Sequence, residues 1–473
     1  MKGSGFSRTE RKMEPKYYDL CPSQDNMYTM LKYCIHKQVV QIPTSFAIDQ
    51  KLDYGILQKA LNIEIERNDC MRICFFKDKE TKKVRQYFAD KKEYTAQILK
   101  FTTADEQEAF LARDAQKPVK IFKGETFRVF FFDTCKGGSG IYLNASHLIM
   151  DASSVMTFYA DLMKVYRALA SGSDMPEPLY PYEERVEKDI AYLSNESCMT
   201  KDDKFFREYF DPEKPPFYAG IHGHDLLDKA RKKKKDPNLR VPAAYNPIKD
   251  KAEMITRHVC PEDAAKIFDY CQKHLCSPEN LILMGFRTYA SSVNYRTDDV
   301  FITVLCSRRS SYKDKSSGGC MAQTMQVRTV IGEDKTFTQA LAEINRVRTQ
   351  LYRHINYPYT KALAMTREVY NFKLVEAPGC MMFTWLPLPI SAKDTEYDID
   401  FRGYNLGRYI FPLYVFSFPN MKDGGIDFMY MYKPSLIKPE HIHALHDKGL
   451  EVMLKGVENP DLTVGELLDI AEK

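Results

Sequence analysis

The stretch Ile141-Tyr-Leu-Asn-Ala-Ser-His-Leu-Ile-Met-Asp-Ala-Ser-Ser154 changes its periodicity halfway along, and that change limits what the chain around it can become. Upstream, Phe127, Val129 and Phe131, then Ile141 and Leu143, alternate with a period of two. They predict two short β-segments joined by the glycine-rich turn Lys136-Gly-Gly-Ser-Gly140. Downstream, Val155, Phe158, Tyr159, Leu162, Tyr166 and Leu169 fall at helical spacing, so a helix starting near Ala152 has one apolar face. His147 and Asp151 sit at the junction. A side chain there is held on a rigid frame and can point into a cleft, as a positioned acid or base must.

The spacing His-x-x-x-Asp recurs at His224 to Asp228 and at His443 to Asp447, and context separates the three. His224 lies in the polar, basic run from Gly220 to Lys235, which reads as a surface loop or frayed helix with no strand leading into it. His443 lies in Pro439-Glu-His-Ile-His-Ala-Leu-His-Asp-Lys448, a helix whose histidines read as polar-face residues. His441, His443 and His446 lack the i, i+4 pair with a third ligand that helical zinc sites use, so no metal site is expected.

At 473 residues the chain is too long for one ordinary core, and two domains are expected. A net charge of +4 implies no nucleic-acid partner without a concentrated patch. The one basic run, Lys229 to Lys235, has no interleaved aromatics and reads as a solvated face, with contact to cofactor phosphates or an acidic partner as the alternative. Twelve scattered cysteines, with no Cys-x-x-Cys pair and no Cys/His ligand quartet, suggest reduced thiols in a cytoplasmic protein. The charged N-terminus has no apolar run behind it, so no signal peptide is expected. The most apolar runs, Phe127 to Phe132 and Leu281 to Phe286, are far short of the ~20 residues of a membrane span.

In chain order, a disordered start is expected before a helix opened by Cys21-Pro-Ser, with Ser23 as N-cap. A strand follows over His36 to Ile48, with Pro43 near an edge or bulge. A helical stripe at Ile56, Leu57, Ala60, Leu61 and Ile63 leads through Arg67-Asn-Asp-Cys-Met-Arg72 into another strand. The Pro, Gly and Ser content from about Ser171 marks a boundary. We therefore expect a first lobe over 1–175, a linker and basic insertion over 176–250, and a second α/β lobe over 251–473. In the last, Val300 to Leu305 is a buried strand, and Phe337, Ala340, Leu341, Ile344, Val347 and Leu351 form a helical stripe. The order of strands and helices favours mixed sheets covered by helices over a purely parallel one.

Ser146-His-Leu-Ile-Met-Asp-Ala152 resembles the His-His-x-x-x-Asp-Gly motif of the CoA-dependent acyltransferase superfamily. That superfamily includes chloramphenicol acetyltransferase, the condensation domains of nonribosomal peptide synthetases and stand-alone alcohol acetyltransferases. Arg67 to Arg72 sits where condensation domains carry Arg-His-x-x-Leu-Arg, and the order from Leu281 through Met325-Gln-Val-Arg328 to the terminal helices follows the family from about Tyr17 to Leu468. Ser146 replaces the first His of the motif and Ala152 its Gly. Asp400-Phe-Arg-Gly403 is a faint echo of the plant branch's Asp-Phe-Gly-Trp-Gly. The resemblance implies an α/β fold of two chloramphenicol acetyltransferase-like lobes, each a mixed sheet flanked by helices, with the site in the cleft between them.

Transfer of an acyl group from a thioester needs a base for the nucleophile's proton, and a neutral imidazole suits that role. His147 is the candidate; the competing reading is a core His satisfied by a backbone partner. The resemblance implies that Asp151 pairs with a buried Arg and shapes the loop, and segment order nominates Arg72 as that Arg. A helix-capping carboxylate is the other reading of Asp151. No Ser or Cys stands in a nucleophile-elbow pattern, so direct attack in a ternary complex is expected. The expected activity is transfer from acyl-CoA to a small hydroxyl or amine acceptor by a monomer with no permanently bound cofactor. The alternatives are a condensation-type enzyme using carrier-protein-tethered phosphopantetheine thioesters, with the carrier supplied in trans, and a catalytically silent binding or scaffold relative.

Overall fold

The computed structural model describes residues 15–91, 93–246, 248–387, 399–420 and 422–473, so the expected disordered start lies outside the described residues. The first half runs β1 (Tyr18–Asp19), α1 (Pro22–Tyr33), β2 (Gln41–Ile48), α2 (Tyr54–Arg67), β3 (Ile73–Lys77), β4 (Val84–Phe88), β5 (Gln97–Leu99), α3 (Ala104–Ala115), β6 (Phe127–Asp133), β7 (Ser139–Ser146) and α4 (Ala152–Ser171). Three helices follow, α5 (Tyr182–Leu193), α6 (Glu196–Tyr209) and α7 (Asp225–Lys234). The second half runs β8 (Glu253–Val259), α8 (Pro261–His274), α9 (Pro278–Ser292), β9 (Asp299–Ser307), α10 (Tyr312–Lys315), β10 (Ala322–Val330), α11 (Phe337–Arg353) and α12 (Tyr359–Tyr370). It closes with β11 (Met381–Trp385), β12 (Ile399–Gly403), β13 (Leu413–Pro419), β14 (Ile426–Tyr432), α13 (Pro439–Glu458) and α14 (Val464–Glu472).

These strands make two large mixed sheets, each the floor of one lobe. The first has the order β12-β2-β7-β6-β5, the second β10-β9-β11-β13-β14-β8, and β1-β4-β3 forms a small third sheet. The period-two residues Val129, Phe131, Ile141 and Leu143 are fully buried against the α4 stripe of Val155, Phe158 and Leu162. In the second lobe Val304, Val327, Phe383, Val415 and Phe428 turn one sheet face into the core beneath α9, α11 and α13. The helices α9 and α13 meet at glycines: a Cβ on Gly285 would come within 2.5 Å of the Gly449 carbonyl oxygen.

Residues 176–250 depart from the expected linker. Tyr182 and Val186 of α5 are buried in the first lobe's core. The residue before α5, Pro181, has no capping side chain, and Asp69 supplies the cap from afar by accepting from the Tyr182 and Glu183 amides at 2.8 and 2.9 Å. This long-range cap fixes the start of α5 against the first lobe, while Asp189 of the same helix pairs with Arg308 of the second half. The lobes are also laced together from the other side, since β12 leaves the second half of the chain to pair antiparallel with β2. Pro43 lies where that pairing ends, one residue beyond the Thr44–Gly403 pair.

Smaller corrections follow from packing. Cys21, with Pro22 behind it, occupies the cap position of α1, and Ser23 lies inside the helix, where its buried Oγ accepts from Arg308 at 3.0 Å. The basic run forms α7, an exposed helix whose Lys234 pairs with Glu376 at 2.9 Å. His446 is not a polar-face residue: it is 3% exposed, with its Nδ1 2.8 Å from the Tyr430 hydroxyl.

Candidate active site

His147 follows the last residue of β7, and its amide donates to the Val40 carbonyl at 2.8 Å just past the β2–β7 ladder. The ladder thus fixes where the chain leaves the sheet, and the half-buried imidazole lines a cavity of about 1120 Å³. The walls come from α1, β2 and the β7–α4 junction on one side and from the second lobe's sheet on the other, with β12 beside them. Burial depresses the imidazole pKa below its usual 6.5, and the Asp151 charge and the His147 and Met150 carbonyls only partly offset this. The ring is therefore neutral at neutral pH, the form that accepts a proton. Its Nδ1 stands 3.8 Å from Cys320 Sγ. That thiol is fully buried and burial pushes its pKa well up, so it stays protonated and offers no nucleophile.

Asp151 is buried and does two jobs. Its Oδ1 accepts from the Ser154 amide at 2.9 Å, capping α4. Its Oδ2 accepts from Arg309 Nη1 at 2.6 Å and from the Met321 amide at 2.7 Å. Burial alone would raise the carboxyl pKa, but the Arg309 charge and the two amide donors outweigh it and hold the group below its usual range. The Arg309 Nη2 also donates to the Gly318 and Gly319 carbonyls at 3.2 and 2.9 Å, so one guanidinium clamps the motif of the first lobe to a loop of the second.

Arg72 is not the partner of Asp151. Its guanidinium donates to the Ala89 carbonyl, just past the neighbouring strand β4 of the small sheet. The Arg67–Arg72 segment still serves the site: Arg67 forks onto Asp161 of α4 at 2.9 and 3.2 Å, and Asn68 and Cys70 pack against Gly318. Sequence reasoning missed Arg309. The available signal was the pair Arg308-Arg309 directly after the apolar strand β9, a place where two charges need buried partners. Arg308 finds one in Asp189 of α5, at 2.7 and 3.0 Å.

Ala152 occupies the first position of α4 and is not among the residues with positive φ, so its backbone makes no demand for glycine. Its methyl lines the cavity. The segment Asp400-Phe-Arg-Gly403 lies in β12, and Phe401, Arg402 and Gly403 also line the cavity. The other two His-x-x-x-Asp pairs lie elsewhere, His224 bonded to Asp228 on α7 and His443 to Arg257. Among the described residues, no group of three His, Cys, Asp or Glu side chains could hold a metal, and no helix is long and apolar enough to cross a membrane.

The two-lobed fold is shared with solved condensation domains. The first condensation domain of the calcium-dependent antibiotic synthetase, in complex with a substrate analogue, superposes with a TM-score of 0.77 at 14% identity, covering 95% of this chain and 99% of that one. A mutant starter condensation domain of rhizomide synthetase RzmA, in complex with C8-CoA and Leu-SNAC, gives 0.76 at 14% identity, covering 95% and 96%. Surfactin synthase subunit 1 of Bacillus subtilis (strain 168) is 22% identical over 97% of this chain, which spans 12% of that subunit's length. A hybrid PKS-NRPS synthetase, thnA, of Trichoderma harzianum is 24% identical over 67% of the chain, which spans 7% of its length. The condensation-domain family model matches residues 14–473, and the chain belongs to that family.

Proposed function

We propose that this protein forms an amide or ester bond by moving an acyl group from a carrier-tethered phosphopantetheine thioester to an amine or hydroxyl acceptor. The observation that carries this is the neutral imidazole of His147 on the wall of a cavity lined by both lobes. The acceptor's lone pair attacks the thioester carbonyl as His147 takes its proton. The tetrahedral adduct then expels the thiolate, which recovers that proton from the imidazolium, so base and acid are one residue. Asp151, paired with Arg309, holds the β7–α4 junction and moves no proton. The sequence alone favoured acyl-CoA as donor. Similarity to subunits of large synthetases supports the tethered donor over CoA, while the neighbour solved with C8-CoA keeps the CoA thioester as a second reading.

The test supplies the same acyl group on a phosphopantetheinylated carrier protein and on CoA, each with amine and hydroxyl acceptors, and follows product mass and free thiol. Carrier-dependent product that disappears in His147→Ala is expected. Equal thiol release by wild type and His147→Ala with every donor would overturn the assignment.

A further inference from the structure

The second lobe's sheet turns one face into the core, and its other face, partly covered by a small cluster of Ala252, Met382 and Tyr409, lines the cavity. The residues between those of its core face point at the cavity, and the register lines them up across all six strands. One row reads Gln326, Thr303, Met382, Tyr414, Met431, Met254, each the ladder partner of the next. The row changes character as it crosses: hydroxyl and amide groups on β10 and β9, then thioethers and a ring from β11 to β8. The adjoining row sets Phe416 beside Met429, flanked by Thr384 on β11 and Thr256 on β8.

The polar end is occupied with its own hydrogen bonds, Asn26 to Thr324 at 3.1 Å and Thr366 to Gln326 at 3.0 Å. It lies on β10, the strand whose lead-in residues Cys320 and Met321 contact His147 and Asp151. The apolar end runs from two to five strand spacings farther across the sheet, about 10–24 Å. Met254, Met429, Met431, Tyr414 and Phe416 are only half-buried there, although they stand inside a sheet. Gly403 of β12 faces them from the first lobe's sheet, and a Cβ built on it would touch only Met429 Cε, at 3.8 Å. The nearby charges are already engaged, Asp427 on β14 by His258 at 2.7 Å and Asn420 at 2.8 Å, and Arg402 on β12 by Asp400 at 2.7 Å.

Building on the acyl-transfer reading, we infer that this Met- and aromatic-walled end of the cavity receives the acyl tail, and that the tail is a long, flexible, unbranched alkyl chain. Depth sets the length: an acetyl group at His147 would leave the far strands unused. Wall chemistry sets the class, because unbranched thioethers re-pack around a mobile chain and offer a polar one only weak acceptors, while the Tyr414 hydroxyl there already donates to Thr384 at 3.2 Å. The polar strands next to the imidazole suit the amides of the pantetheine arm and the acceptor.

The experiment measures kcat/KM for acetyl, butyryl, octanoyl, dodecanoyl and benzoyl thioesters of N-acetylcysteamine with one amine acceptor. In parallel, the thermal midpoint of the His147→Ala protein is read with each thioester, which reports binding without turnover. The straight-chain series should rise by roughly fourfold per added methylene until the wall is met, the effect of burying one CH₂. Benzoyl should fall below octanoyl, and the midpoint should rise in step with chain length. Gly403→Leu, which projects into the apolar end, should move the break in both profiles to a shorter chain. Transfer that is flat with length, or a Gly403→Leu variant whose profile is scaled without a shifted break, overturns the inference while leaving the acyl-transfer reading intact. Absence of transfer with length-dependent stabilisation of His147→Ala overturns the reaction and retains the tail site.

Discussion

Truncating Arg309 to alanine should cost far more than truncating Arg72, and the difference can be worked from the contacts. Arg309 and Asp151 side chains are 5% and 4% exposed, so neither charge has water to fall back on. Arg309→Ala leaves the carboxylate with its two amide donors and no counter-charge, and strands the carbonyls of Gly318 and Gly319. Breaking a buried pair from one side costs about 3–5 kcal/mol. Arg72→Ala removes one donor to a single carbonyl from a half-buried side chain, about 1 kcal/mol. Urea denaturation at neutral pH measures both. The pH dependence adds a second check. The folded pKa of Asp151 lies below its unfolded value of 3.8, so its share of stability is present at neutral pH and is lost as pH falls through the folded value. In Arg309→Ala the unpaired carboxyl has a raised pKa, so protonation relieves it, and the gap to wild type should narrow on acidification. Equal costs for the two arginine variants, or a gap that widens in acid, would refute the argument.

Three further outcomes are expected. His147→Ala should lower turnover by about 10²–10⁴-fold with little change in denaturation midpoint, and the acid side of the wild-type kcat/KM profile should fall below pH 6.5, because the imidazole pKa is depressed; a fall above that value would contradict a buried neutral base. Ala152→Gly should leave transfer within a few-fold of wild type and cost up to about 1 kcal/mol in urea, since the position is helical and its φ is not positive. Gly319→Ala should destabilise by more than about 1 kcal/mol, because φ is +87° and the new Cβ would meet the Tyr182 ring at 2.0 Å; circular dichroism melts would show it.

Local pattern was sufficient for most elements. The period-two run into β7 and the 3.6-residue stripe of α4 each follow from which side chains must leave water, and both appear where the sequence placed them. The same holds for β9 and for α11, whose Phe337, Ala340, Leu341, Ile344, Val347 and Leu351 are all buried. The placement of His147 at the end of a strand was legible because a polar residue at a strand-to-helix junction is a local feature, and so was the capping contact of Asp151, three residues from the amide it holds.

What the sequence left open has a common cause, interaction between residues far apart in the chain. The capping of α5 by Asp69 spans more than a hundred positions, and no pattern near Tyr182 announces it. Segment order nominated Arg72 for Asp151, but a guanidinium pairs with the charge that folding brings to it, and here that is Arg309 from the end of β9. Even the cavity is invisible in any one strand: Met382, Tyr414, Met431 and Met254 become one wall only when four strands from different parts of the chain pair in register.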